Sequence, residues 1–127
     1  MKEKTLILFL MFLCLSSLKA QKKVHVSEIE ERNIGGKTIL YANEVQYDGI
    51  VYENYIRPKL KYSVENGIKN GPYELYYENG KLKRKTSFKD DKYNGPYEEY
   101  FENGQIKIKT SFRLGKYHGP LVMYYKN

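Results

Sequence analysis

The sequence predicts an all-β fold, a single-layer antiparallel meander of β-hairpin repeats placed after an N-terminal signal helix. Three observations predict it. A Gly-Pro marker recurs every 24 residues, at Gly71-Pro72, Gly95-Pro96 and Gly119-Pro120, and a fixed period of this length marks a repeat architecture. Within each unit apolar and charged residues alternate with a period of two, as on a half-buried strand. Fourteen tyrosines and no tryptophan suit a thin sheet, because tyrosine lays a large apolar ring on a half-exposed surface and keeps its hydroxyl wet.

Residues 1–20 read as a secretory signal peptide: Lys2 and Lys4, an apolar run from Leu6 to Leu18, then Lys19-Ala20. That run is well short of the ~20 residues a membrane-spanning helix needs. Cleavage after Ala20 removes Lys2, Lys4, Lys19 and Glu3, which takes the formal charge from +7 to +5. The single cysteine, Cys14, lies inside the run and follows Leu13, where a lipoprotein signal has a small residue. The mature chain therefore has no disulfide and is held by backbone pairing and burial. The expected location is the periplasm, the cell envelope or the exterior.

Residues 21–48 read as an N-terminal cap, with strands at 37–41 and 45–47 around Ala42-Asn43-Glu44. Gly35-Gly36-Lys37-Thr38 resembles the end of a phosphate-binding loop, but Glu31 stands where that loop has its first glycine, so a turn is expected. Repeats occupy residues 49–127: a degenerate unit at 49–70, full units at 71–94 and 95–118, and a partial one at 119–127. In the degenerate unit Lys59-Leu60-Lys61 mirrors Lys81-Leu82-Lys83, and Val64 is the counterpart of Phe88.

Asn79-Gly80 and Asn103-Gly104 predict two-residue type I′ turns, since both central residues of that turn need φ > 0. The register that follows puts Glu78 opposite Lys81, Tyr77 opposite Leu82, Leu75 opposite Arg84, Glu74 opposite Lys85 and Tyr73 opposite Thr86. One face then carries Tyr73, Leu75, Tyr77, Leu82, Thr86 and Phe88, with Tyr97, Phe101, Ile106, Ile108, Thr110 and Phe112 in the next unit. The other carries Glu74, Glu78, Lys81, Lys83 and Lys85, then Glu98, Glu102, Lys107 and Lys109, with Tyr76, Tyr100 and Tyr124 down its middle. Leu75 becomes Glu99 one unit later while Arg84 becomes Ile108. If successive hairpins pair with Arg84 facing Glu99, the two charges on the packed face meet each other.

The tyrosine row on the wet face, Tyr76, Tyr100 and Tyr124, with Lys83 and Lys107 beside it, is the candidate partner-binding surface, because aromatics framed by polar residues make interface anchors. No catalytic, cofactor or metal site is expected. Asp90-Asp91 reads as a solvated turn rather than a calcium site, since its equivalents are Asn66-Gly67 and Leu114-Gly115. His118 takes the place of Asn70 and Asn94 before each Gly-Pro and reads as a left-handed turn residue. The lysine-rich strand Lys81 to Lys85 offers a surface for anionic lipid, the alternative partner. Nucleic acid is not expected, because cross-strand glutamates offset that charge and the chain is read as exported. The final strand, within Leu121 to Lys126, leaves an edge able to pair with another chain.

Tyr76-Tyr77-Glu78-Asn79-Gly80-Lys81-Leu82 and Tyr100-Phe101-Glu102-Asn103-Gly104-Gln105-Ile106 resemble the bacterial variant of the MORN repeat over roughly residues 47–127. The lead-in Glu30-Glu31-Arg32-Asn33, Leu40-Tyr41 and Tyr47-Asp48-Gly49 is similar to the start of the YwqK-type antitoxin family. That resemblance implies a non-enzymatic protein that binds and neutralises a partner toxin.

Overall fold

The computed structural model describes residues 22–53, 57 and 59–127, so the expected signal helix lies outside the described residues. Among the described residues thirteen strands run in chain order: β1 (Lys23–His25), β2 (Glu30–Ile34), β3 (Lys37–Ala42), β4 (Val45–Gln46), β5 (Gly49–Glu53), β6 (Leu60–Glu65), β7 (Ile68–Tyr76), β8 (Leu82–Lys89), β9 (Lys92–Tyr93), β10 (Gly95–Tyr100), β11 (Ile106–Arg113), β12 (Lys116–Tyr117) and β13 (Val122–Met123). The long sheet follows the order β1-β5-β6-β7-β8-β10-β11-β12, with β9 on β8 and β13 on β11. Strands β2, β3 and β4 form a second, three-stranded sheet.

Two features depart from a single-layer antiparallel meander. β1 pairs with β5 in parallel, Val24 facing Val51, which makes the long sheet mixed. The β2–β4 sheet supplies a second layer at one end: Leu40 and Tyr47 pack with Val51, Tyr62 and Val64 into a buried cluster. Among the described residues, every buried apolar side chain lies between Ile39 and Val64. Among the described residues after Gly67, only Thr86 and Thr110 are buried to that degree.

The cap grips the β6–β7 turn through backbone. Leu40 N–H donates to the Gly67 carbonyl at 2.7 Å, and Gly67 N–H donates to the Tyr47 carbonyl at 2.8 Å. A Cβ on Gly67, at φ 71°, would stand 2.6 Å from Ile39 Cγ2 and 2.8 Å from the Leu40 carbonyl. The same bond then repeats along the array: Asp91 N–H donates to the Lys69 carbonyl at 3.0 Å and Gly115 N–H to the Tyr93 carbonyl at 2.8 Å. Each turn is thereby tied to the unit before it, and Tyr47 plays the part of a repeat residue.

The turn types are exchanged relative to the sequence reading. Left-handed residue pairs occur at Gly35-Gly36, Asn43-Glu44, Asn66-Gly67, Asp90-Asp91 and Leu114-Gly115, which are the two-residue type I′ hairpins. At Asn79-Gly80 only the glycine has φ > 0. There the Gly80 N–H donates to the Tyr77 carbonyl at 2.9 Å and the Tyr77 N–H to the Lys81 carbonyl at 2.8 Å. This is a three-residue loop, a type I turn closed by glycine, and Phe101 to Gln105 repeats it. Tyr76 consequently faces Leu82, not Lys83. A bulge at Lys83 absorbs the extra residue, so Leu75–Arg84, Glu74–Lys85 and Tyr73–Thr86 stand in the expected register.

The Gly-Pro markers are not turns either. Gly71-Pro72 lies inside the continuous strand β7, at a register shift opposite Ser63. Proline is tolerated there because the bulge needs no ladder donor. Gly71, Gly95 and Gly119 carry the positive φ, whereas Asn70, Asn94 and His118 do not. A Cβ on Gly95 would meet Ser87 Oγ at 2.9 Å.

Candidate functional site

Two surfaces of the repeats present aromatic side chains. On the first, Tyr76 and Tyr100 stand next to their own glutamates: Tyr76 Oη donates to Glu74 Oε2 at 2.8 Å and Tyr100 Oη to Glu98 Oε2 at 2.6 Å. Each ring is therefore tethered two residues back along its strand. Burial, with the Glu74 hydrogen bond, pushes the Tyr76 hydroxyl up to about 12. For Tyr100 the hydrogen bond to Glu98 leads and burial adds, again to about 12. Tyr124 has Val122 at the glutamate position and is 48% exposed.

Lys83 and Lys107 occupy the bulges of β8 and β11. Among the described residues, neither makes an ion pair. Their ammonium groups stand 5.4 Å from the Tyr77 ring and 6.0 Å from the Phe101 ring. A bulge re-aims side chains, and here it turns each lysine toward the hairpin tip. Glu99 pairs with Arg84 across β10 and β8. Tyr124 N–H donates to the Lys107 carbonyl at 2.9 Å. Of the five residues singled out in the sequence, Tyr76 and Tyr100 are held alike by their glutamates, whereas the Lys83 and Lys107 ammonium groups lie by Tyr77 and Phe101, rings of the opposite face.

One step further from the hairpin tips runs a row of alternating charge, in which Lys61 faces Glu74, Glu74 faces Lys85, Lys85 faces Glu98 and Glu98 faces Lys109. Lys109 reaches Glu98 at 3.5 Å and Lys61 reaches Glu74 at 4.0 Å. The Tyr100 hydrogen bond, against burial and helped by Lys109, holds the Glu98 carboxyl below the usual range. At the head of this face a depression of about 350 Å³ is lined by Ile50, Lys61, Ser63, Pro72 and Glu74.

The opposite face carries a continuous aromatic row. Tyr62 stacks on Tyr73 at 6.3 Å, Tyr73 meets Phe88 at 5.4 Å, Phe88 meets Tyr93 at 4.8 Å, Tyr93 meets Phe112 at 5.2 Å and Phe112 meets Tyr117 at 4.6 Å. The row starts beneath the cap, where Tyr62 is 5% exposed, and ends at Tyr117, 68% exposed. Within it Arg84 bonds Glu99 at 2.6 Å, the meeting of charges that the exchange of Leu75 and Arg84 for Glu99 and Ile108 implied. Burial opposes ionisation of Glu99, but bonds from Tyr97 and Arg84 outweigh it and hold its carboxyl below the usual range. From the sequence these rings are expected only as the packed face; the exposure of the row at Tyr117 leaves no mark in the alternation of side chains.

The profile of the MORN repeat variant family matches residues 69–90 and 93–113, that is, the two full hairpin units with their type I turns. No curated protein and no solved structure matches the chain.

Proposed function

We propose that this chain is an exported, non-enzymatic β-repeat module that holds a partner protein against the uncovered part of its aromatic row, in the manner of antitoxin-type MORN variant proteins that bind and neutralise a target. The observation that carries the reading is the change along a single row of rings, buried under the cap at Tyr62 and open to solvent at Tyr117. The cap demonstrates in cis how a β-hairpin seats on this face, by burying apolar side chains and bonding backbone to a turn. Apolar, aromatic surface of this kind forms the desolvated centre of protein interfaces.

The test uses the mature chain as bait in an envelope extract from the source cells. One protein is expected in stoichiometric amount, lost with Tyr117→Glu and kept with Tyr100→Ala. Growth arrest caused by that protein should be relieved when the chain is co-expressed with it. Loss with Tyr100→Ala but not with Tyr117→Glu would move the contact to the other face and defeat the assignment.

A second reading, peripheral contact with anionic lipid headgroups, draws on the ammonium groups of Lys83 and Lys107, which make no ion pair among the described residues. Its support is narrower, because Lys85 and Lys109 alternate with Glu74 and Glu98 and their fields largely cancel.

A further inference from the structure

We infer that the β11–β12 turn, Arg113 to Lys116, anchors an acidic segment of a partner protein, taking a carboxylate between Arg113 and Lys116 and an apolar side chain on Leu114. Charge is the first argument. Arg113 stands directly opposite Lys116 in the ladder, both exposed, and like charges so placed destabilise a sheet. The stem of Lys92 runs beside the same turn, its Cβ 3.7 Å from where a Cβ on Gly115 would stand. Among the described residues none of the three makes an ion pair, and no Asp or Glu follows Glu102 in the sequence. The preceding unit shows the contrast. There Lys89 faces Lys92 in the same way, but the turn between them is Asp90-Asp91, and Asp91 also reaches Lys69 at 3.9 Å. The carboxylates that one unit carries in its own turn are left, in the next, for another molecule to bring.

Leu114 is the second argument. The type I′ turns begin with Gly35, Asn43, Asn66, Asp90 and Leu114, all at positive φ. The first four are residue types that tolerate the left-handed region, whereas a bulky leucine there is an outlier, and this one is 52% exposed. Within the chain the choice costs backbone strain and leaves apolar surface in water, where asparagine would do neither. A strained, solvated leucine flanked by two cations has the make-up of an interface anchor, an apolar centre with a polar rim. An anionic bilayer fits less well. The Asp90-Asp91 turn lies on the same edge of the sheet, two strands and so about 10 Å away, and a flat surface that met Leu114 would press those carboxylates against its headgroups. By alternation from the Phe112–Tyr117 pair, Arg113 and Lys116 project from the face opposite the aromatic row, so this contact and the one proposed on the row are broken by different variants and fail separately.

The experiment measures, by fluorescence anisotropy, binding of the mature chain to a labelled peptide of Glu-Ser-Leu repeats and to the same peptide with glutamine for glutamate, with co-sedimentation on phosphatidylglycerol vesicles beside them. The glutamate peptide should bind at least about tenfold more tightly than the glutamine peptide, a difference of about 1.4 kcal/mol, and vesicles should not retain the chain. Arg113→Gln/Lys116→Gln should bring the two peptides level, whereas Lys83→Gln/Lys107→Gln, which removes the same formal charge elsewhere, should leave the preference intact. Leu114→Asp/Gly115→Asp, which writes in the acidic turn of the preceding unit, should abolish binding. Leu114→Asn should weaken both peptides while raising the urea midpoint, so that loss of contact is separated from loss of fold. Equal binding of the two peptides, a preference that survives Arg113→Gln/Lys116→Gln or vanishes with Lys83→Gln/Lys107→Gln, a Leu114→Asn chain that binds as before, or retention by vesicles in place of peptide would each overturn the proposal.

Discussion

Tyr62, Thr86 and Thr110 occupy one position in three successive units, and Val64, Phe88 and Phe112 occupy another. Under the cap the pair is tyrosine and valine, 5% and 5% exposed; in the uncovered units it is threonine, 6% and 7% exposed, followed by half-buried phenylalanine. Where a second sheet supplies a lid, a large ring can be buried at the first position. Where none exists, only a small side chain disappears, and its cover comes from neighbouring rings within the same sheet. Burial in the repeats is thus lateral, residue against next strand, whereas burial in the cap is between layers.

The largest expected difference between the two regions follows from this. Leu40→Ala removes a side chain 2% exposed from between two sheets that cannot close the gap, and should cost about 2 to 5 kcal/mol. Ile106→Ala removes a half-buried side chain from the uncovered sheet and should cost about 1 kcal/mol, since little area returns to water. Urea denaturation of both variants measures the contrast, and equal losses would break it.

Two glycines sharpen the comparison at a smaller scale. Gly67→Ala meets a left-handed backbone and drives its Cβ against the Leu40 carbonyl, so the cap must shift; a loss above about 2 kcal/mol is expected. Gly80→Ala carries the same backbone penalty, but nothing lies within 4 Å of its Cβ, and about 1 kcal/mol is expected. The difference between them isolates cap contact from turn conformation. Hydrogen exchange at the Gly67 and Asp91 amides, which make the same bond in covered and uncovered units, would report whether the first loses protection selectively.

These positions also show what was legible beforehand. The 24-residue period and the alternation of side chains gave the hairpins, and the exchange of Leu75 and Arg84 for Glu99 and Ile108 gave their neighbours, because cross-strand pairs are a local consequence of register. Asn79-Gly80 misled on turn type: asparagine-glycine serves both a two-residue loop and a type I turn closed by glycine, and the bulge at Lys83 that separates them leaves no mark in a Lys-rich strand. The parallel pairing of β1 with β5, and the seating of β3 on Gly67, are non-local contacts with no periodic signature. For the candidate residues, types and spacing were legible but geometry was not: the bulges bring the lysines to Tyr77 and Phe101, and Tyr124 lacks the glutamate that holds its two counterparts.

The Arg84–Glu99 pair sets opposite charges within the aromatic row, and it tests how lateral burial tolerates polarity. Glu99 has its carboxyl held below the usual range in the folded chain, so the stability it contributes is present above the ordinary carboxylate pKa near about 4.3 and is lost as pH falls through the lower folded value. Glu99→Gln should remove that part of the acid transition while costing about 1 to 2 kcal/mol at neutral pH, where Arg84 keeps a neutral acceptor. Arg84→Ile/Glu99→Leu, which puts in each slot the residue its counterpart holds, Ile108 and Leu75, should recover most of the loss. Failure to recover would mean that the pair sets the register rather than merely fitting it.

The smallest expected effect has the opposite sign. Thr86 Oγ1 and Thr110 Oγ1 are buried and find no protein partner, so each unit bears the cost of desolvating a hydroxyl without a hydrogen bond. Valine has the same branched shape and no hydroxyl, and it favours strands as threonine does. Thr86→Val and Thr110→Val should each stabilise the chain by up to about 1 kcal/mol, and their sum should be additive within about 0.5 kcal/mol, because the two sites lie a full unit apart. The reason to expect a gain only here is structural: at the equivalent place under the cap the sequence already has a ring, Tyr62, and the layer above it has removed the need for a small side chain. A loss on substitution would show that the hydroxyls hold something the rings around them depend on, and the contrast between lateral and layered burial would then have to be redrawn around a polar contact.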